Sequence, residues 1–518
     1  MKTLFLAFSL APAALLADLA VPHFFSDHMI LQRDRAAAIW GKADPHAEVT
    51  VSFKGKKVHA KAAADGKWRT NIETGQADAS GAILTISSAG KNIAIQDVLV
   101  GEVWFASGQS NMSFTMSGSP MYQPLVEAST DPALRMFTAP RIATLEAMED
   151  IDGSWQSADP KNVPRFSAVA YFFARKLRQE LGVPVGVIHS SWGGKPIETF
   201  TSREALNTLP ATKKLVETAI KDDAAFDRNQ AKVNYEKQLA QWEAAMASAK
   251  QKPAAERGRL PVKPVMGRRA LATDGKPGVL FNSMIHPFIG YTMRGAIWYQ
   301  GEANRNATSA PYEQTLPLMI ADWRKRWNDS FSFYYVQLAN FGKPTTEPGG
   351  EDGWVNVQDA MRRVLQKVPQ TGMAVINEVG EAGDIHPKNK KDPGERLALW
   401  ALAKDYGKQL VYSGPLYQKH EMMKDVVRIT FAHAGNGLKT RGPEPLARFE
   451  ICGADGKWHW AQAKISGKDS IDVSCKDVSK PVAVRYAWAA NPEGANLINS
   501  EGLPASVFTT QPTKKDES

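Results

Sequence analysis

Six short runs, each almost wholly apolar, constrain this chain more than any other feature. They are Val98–Val100, Val103–Ala106, Val183–Ile188, Ala296–Tyr299, Phe333–Leu338 and Met373–Ile376. A strand with one wet face alternates apolar and polar residues. A strand apolar on both faces must be covered on both sides, as parallel strands beneath helices are. Helix-period patterns, Ala168–Leu181 and Tyr312–Trp327, lie between the runs. This alternation predicts an α/β domain with a doubly wound parallel sheet over residues 98–407.

The flanks read differently. Over residues 18–97, Val49–Phe53 and Leu84–Ser87 alternate, and Asp65-Gly66-Lys67-Trp68 is a turn signal. Over residues 408–512, Asp425–Phe431 and Val482–Tyr486 alternate. Both flanks are therefore expected to be β-rich and sandwich-like. Residues 204–278 interrupt the α/β pattern. Glu204–Lys250 predicts a pair of amphipathic helices, and the proline-rich stretch after it an extended return, so the insertion is either a solvated hairpin or a wall of the site. Residues 513–518 are polar and expected to fray.

Residues 1–17 combine a basic start with an apolar stretch ending at Ala17, the pattern of a secretory signal peptide too short for a membrane anchor. This predicts a periplasmic or secreted protein. The composition of the whole chain, 43% hydrophobic and 23% charged, is that of an ordinary globular protein. The net charge of +9 is scattered without a dense basic block, so nucleic-acid binding is not expected. Cys452 and Cys475 stand in no metal-ligand spacing. In an exported protein they either pair as a disulfide or remain two free thiols.

No HExxH, GxSxG, P-loop or dinucleotide fingerprint is present, so no metal or organic cofactor is expected. Four segments carry chemistry instead. A strand ending at Gly108-Gln109-Ser110-Asn111-Met112 puts a serine at the carboxyl edge of a sheet, where ligands bind in open α/β folds. A second strand leads into Trp192-Gly193-Gly194-Lys195-Pro196-Ile197-Glu198, whose glycines allow a backbone N–H close to a reacting oxygen. A third ends in Trp298-Tyr299-Gln300-Gly301-Glu302-Ala303-Asn304, and the fourth segment is Asp384-Ile385-His386-Pro387. A histidine acting as general base needs an orienting carboxylate, which Asp384 supplies if the loop folds back.

Together these blocks resemble the SGNH/GDSL-type serine hydrolases, and closely the bacterial sialate O-acetylesterase family within them. Lys195 stands where that family more often has threonine. The likeness extends to Phe25–Arg33 near the start and to Val484–Trp488 and Gly502–Ser506 near the end. The resemblance implies a three-layer SGNH-type hydrolase domain flanked by β-sandwich-like regions. It implies a carbohydrate O-acetylesterase with Ser110 as nucleophile, His386 as base and Asp384 as orienting acid, with Glu381 and Glu302 as nearby alternative acids. The Ser110 and Gly194 (or Gly193) N–H groups and the Gln300 amide would hold the oxyanion. Gln109, Asn111, Trp192, Glu302 and Asn304 would contact an O-acetylated sugar or glycan. Two rivals remain open: an esterase for acetylated xylan or xyloglucan, and a dormant glycan-binding protein.

Overall fold

A computed structural model describes residues 18–251, 253, 260–267, 271, 273–306 and 310–512. The expected signal peptide and the polar tail lie outside these residues. Among the described residues no helix is long and apolar enough to cross a membrane.

The central sheet is built from β1 (Lys91–Gly108), β2 (Asp131–Thr138), β3 (Gln156–Ala158), β4 (Val185–Ser191), β5 (Gly295–Tyr299), β6 (Ser332–Val336) and β7 (Thr371–Ala374). Their spatial order is β7-β6-β5-β1-β4-β2-β3. All neighbours are parallel except β2 and β3. Every residue of β4 and β5 is buried, which is why those runs carry no alternation. The covering helices include α1 (Ala168–Leu181), α2 (Tyr312–Trp327), α3 (Gly353–Lys367) and α4 (Lys391–Lys404). Ser167 caps α1 by accepting from the Ala170 N–H, and Gly182 ends it in the left-handed conformation.

β1 spans 18 residues and joins two parts of the molecule. Its first half pairs with Asp78–Ser88 and Ile30–Gln32 of the N-terminal β region, and its second half lies at the centre of the parallel sheet. The boundary expected at 97–98 thus falls within one continuous strand. Asp97, at φ 53°, marks the place, with its carboxylate held by His28 and Arg135. Five residues on, the buried Glu102 accepts from Gln32 and from Arg33 and Arg294, binding the two parts again. One continuous hydrophobic core runs from Phe24 to Leu416.

A second core, from Val427 to Phe508, fills the C-terminal β region and takes in Val355 of α3. Two four-stranded sheets, one around Val426–Ala432 and one around Phe449–Gly453, contribute to it together with the paired strands Leu438–Thr440 and Leu497–Asn499. Cys452 is buried within the second sheet, while Cys475 follows a strand of the first. They are free thiols, so the disulfide alternative does not hold in this structure. The insertion forms helices Pro210–Ala224, which buries Thr212, Val216, Ala219 and Asp223, and Arg228–Gln251, which buries no residue.

The C-terminal region also supports the α/β domain directly. Gln337, at the end of β6, donates to Ser506 at 2.8 Å, and Asn377 donates to the Ala505 carbonyl at 2.9 Å. Deleting residues 408–518 exposes these groups and the Val355 face together. The truncated chain is expected to be insoluble or molten, read by near-UV circular dichroism and gel filtration. A soluble truncate with a cooperative unfolding transition would show that this region is dispensable for folding.

Candidate active site

Three strand ends meet at one level because of their register. Gly108 is paired with Ser191 on β4 and with Tyr299 on β5. The blocks that follow these residues therefore leave the sheet side by side, at its carboxyl edge. Gly108 has φ 140°, and a Cβ there would lie 2.2 Å from the Tyr299 carbonyl oxygen, so only glycine fits this crossing. The Gln109 N–H donates to the same carbonyl at 2.9 Å, and the Trp192 N–H donates to the Gly108 carbonyl at 3.1 Å.

Ser110 opens the short helix Ser110–Ser113 and is half-buried. Gly193 faces it: a Cβ added at Gly193 would stand 3.2 Å from the Ser110 Cβ. Gly194 follows in the left-handed conformation, φ 72°, facing open space. The His386 loop reaches the serine through its neighbours. Asn111 donates through Nδ2 to the Ile385 carbonyl at 3.1 Å, which ties the residue after Ser110 to the residue before His386. Asp384 accepts from the His386 N–H at 2.8 Å, and its carboxylate lies 3.6 Å from His386 Nδ1. Lys388 forms an ion pair with the other Asp384 oxygen, and that contact, with the His386 N–H, holds the carboxyl below its usual range. Glu381 caps the Lys388 N–H at 2.7 Å. Partial burial pushes the His386 pKa down, and the Lys390 ammonium pushes it further, against the opposing pull of Asp384.

Beneath the serine lies a dense polar layer. Gln109, Asn111, Gln300, Glu302 and Asn304 are all buried. Gln300 Nε2 lies 2.6 Å from Asn304 Oδ1, 3.2 Å from the Lys195 carbonyl and 3.3 Å from Gln109 Oε1. Its two hydrogens thus already face three acceptors, while its Oε1 accepts from Tyr312 at 2.9 Å. Asn304 in turn accepts from the Ile197 N–H and donates to Glu198 at 3.0 Å. Four of the five residues expected to contact sugar therefore turn their polar atoms inward. Trp192 is the fifth, half-buried with the Lys195 ammonium 5.4 Å over its ring. Lys195 also pairs with Asp274 of the return segment at 2.9 Å.

Sequence reasoning missed the part played by Lys390. It is fully buried and donates to Asn111 Oδ1, while Glu302 accepts from Asn111 Nδ2. Burial lowers the Lys390 pKa to about 7, with Glu302 acting in the opposite sense. Burial also pushes the Glu302 carboxyl up. A second histidine, His189, lies in the second block, but full burial lowers it to about 3 and keeps it neutral. Its ring contacts Ser191, so it belongs to the floor of the site.

No model of a known protein family matches the chain. Curated relatives do. The sialate O-acetylesterase of Rattus norvegicus is 28% identical, covering 95% of this chain and 94% of its own length. The Homo sapiens sialate O-acetylesterase is also 28% identical, over 94% of this chain and 91% of its own. A crystal structure of a carbohydrate acetylesterase from Xanthomonas citri superimposes with a TM-score of 0.79 at 33% identity. That match covers 95% of this chain and all of the other. The chain belongs to the sialate O-acetylesterase family. It is thus an esterase, and the edge just described holds the half-buried Ser110 beside the His386 loop.

The buried Asn111 bridge predicts two outcomes in this esterase. Asn111→Ala frees the His386 loop and should lower kcat by about ten- to a hundredfold, the scale of a misplacement near 1 Å. Lys390→Gln removes the cation that depresses His386, so the acid limb of the kcat/KM profile should move to higher pH. An unmoved limb, in a variant that melts normally, would remove Lys390 from the electrostatics of the site.

Proposed function

We propose that the chain is an exported carbohydrate O-acetylesterase of SGNH type, working through a Ser110–His386–Asp384 acyl-enzyme mechanism. The observation that carries this reading is the Asn111–Ile385 hydrogen bond, because it draws the serine and histidine loops to one point on the sheet edge. His386 removes the Ser110 proton as the hydroxyl attacks the acetyl carbonyl. Asp384 keeps the imidazole oriented and stabilises its cationic form. His386 then protonates the leaving sugar oxygen, and water attacking the acetyl-enzyme releases acetate.

The oxyanion falls to the N–H groups of Ser110 and of Gly193 or Gly194. Gly193 is close-packed on the serine, and the first N–H groups of a helix have no acceptor within it. Gln300 supports this hole from behind, holding the Lys195 carbonyl and so the glycine turn in place. Loss of one oxyanion donor costs about 2.7–4 kcal/mol of barrier, which makes the rigidity of that turn part of the mechanism. Trp192 offers its ring to the sugar, and the Lys195–Asp274 pair closes that side of the mouth. The names of the relatives support a sialic acid ester as substrate, and the carbohydrate acetylesterase neighbour supports a wider range of acetylated sugars. The apolar stretch before Ala17 supports export.

Acetate release should be measured on O-acetylated sialic acid, acetylated xylan, acetylated xyloglucan and an aryl acetate. Ser110→Ala should lower kcat by at least about a thousandfold on each, and the best substrate identifies the physiological class. Folded wild-type protein inactive on all four would leave glycan binding without hydrolysis as the reading. The pH profile gives a separate check. The base must be neutral, and burial with nearby cations lowers its pKa from 6.5. The kcat/KM value should therefore hold from neutrality down past pH 6.5 and fall only at lower pH. A limb above 6.5 would contradict the assigned base.

A further inference from the structure

We propose that His459, Cys475 and Asp477 form a zinc site that clips together the two sheets of the C-terminal β region. Their ligand atoms, an imidazole nitrogen, a thiol sulfur and a carboxylate oxygen, all lie within 4.8 Å of one another. A nitrogen–sulfur–oxygen set suits Zn²⁺, which binds nitrogen at about 2.0–2.1 Å and sulfur at about 2.3 Å in tetrahedral geometry. In such a site neighbouring ligands stand about 3.3–3.8 Å apart. Side-chain rotations of about 1 Å therefore close the cluster around an ion, with water as fourth ligand.

None of the three side chains is engaged elsewhere among the described residues. This sets them apart from their surroundings. Asp472 is paired with Arg428, Asp455 caps the Lys457 N–H, and the Cys452 thiol donates to the Gly453 carbonyl. His459 and Cys475 are half-buried, and Cys475 packs on the second core.

The backbone explains how the set is assembled. His459 lies on Trp458–Trp460, which pairs with Phe449–Gly453 in one sheet. The chain then crosses to the other sheet, where Gln462 faces Ser474 in an antiparallel hairpin. Cys475 follows that strand directly, and the Val478 N–H donates to its carbonyl at 3.0 Å, forming a turn that carries Asp477. One ligand thus comes from each side of the crossing, with the third on the turn. A thiolate, a neutral imidazole and a carboxylate together balance the two charges of the ion. The site would brace the crossing and takes no part in ester hydrolysis.

The test uses the full chain, freed of metal and kept reduced. Calorimetric titration with Zn²⁺ should show one tight equivalent. His459→Ala and Cys475→Ser should each weaken it by about tenfold or more, while Cys452→Ser leaves it unchanged. Co²⁺ on the unmodified protein should give a thiolate-to-cobalt charge-transfer band, which needs no variant to fold. Absence of a stoichiometric equivalent, binding indifferent to both ligand substitutions, or bound cobalt without the thiolate band would each overturn the proposal.

Discussion

Everything at the edge that carries Ser110 depends on how closely β1 passes β5 at Gly108. The strand ends against the Tyr299 carbonyl at a separation no side chain would allow. At that point the chain must turn, because Gln109 gives its N–H to the same carbonyl and Ser110 begins a helix. The serine is thereby raised above the sheet between β4 and β5. The glycine turn after β4 and the amide-rich turn after β5 are then its neighbours by register alone. A wider crossing would separate Ser110 from Gly193 and break the polar layer linking Gln109, Gln300 and Asn304.

The layer below the serine has a cost that explains its composition. Buried amides and carboxylates are unfavourable unless nearly every donor and acceptor is met. Here each of Gln109, Asn111, Gln300 and Asn304 has partners among the others or the adjoining backbone, so the layer holds together as a unit. Lys390 is the exception in kind: a buried cation whose field reaches the histidine. It donates to the Asn111 side-chain oxygen Oδ1 and at the same time disfavours protonated His386. One residue thus anchors the Asn111–Ile385 link and adds to the burial that favours neutral His386.

Much of this was legible in the sequence, for physical reasons. Ala296–Tyr299 is apolar throughout because β5 is covered on both faces, and the observed strand differs from that run by only one residue, Gly295. Ser110, Gly193 and His386 were visible as strand-end motifs. The continuity across 97–98 was not, since Asp97 stands as a charged break just before the apolar run that begins at Val98. Only pairing shows that the strand continues into the second. Lys390, three residues beyond the Asp384–Pro387 segment, was not legible as buried, because a lysine is exposed unless partners far away in sequence offset its desolvation. The inward orientation of Asn111 and Glu302 was hidden for the same reason: side-chain direction is set by tertiary partners.

The two flanking regions stabilise the edge in different ways. The N-terminal region shares β1 itself and is pinned again at Glu102, where burial would raise the carboxyl pKa but Arg294 and Arg33 bring it below its usual value. Any shift of that region therefore acts directly on the strand that ends just before Ser110. The C-terminal region has its own core and touches the α/β domain through Ser506, Ala505 and Val355. Those contacts fall behind β6, β7 and α3, the side of the sheet that launches the Asp384–His386 loop. Ser110 is thus braced from one flank and the His386 loop from the other, and Asn111, bonded to Ile385, is where the two supports meet.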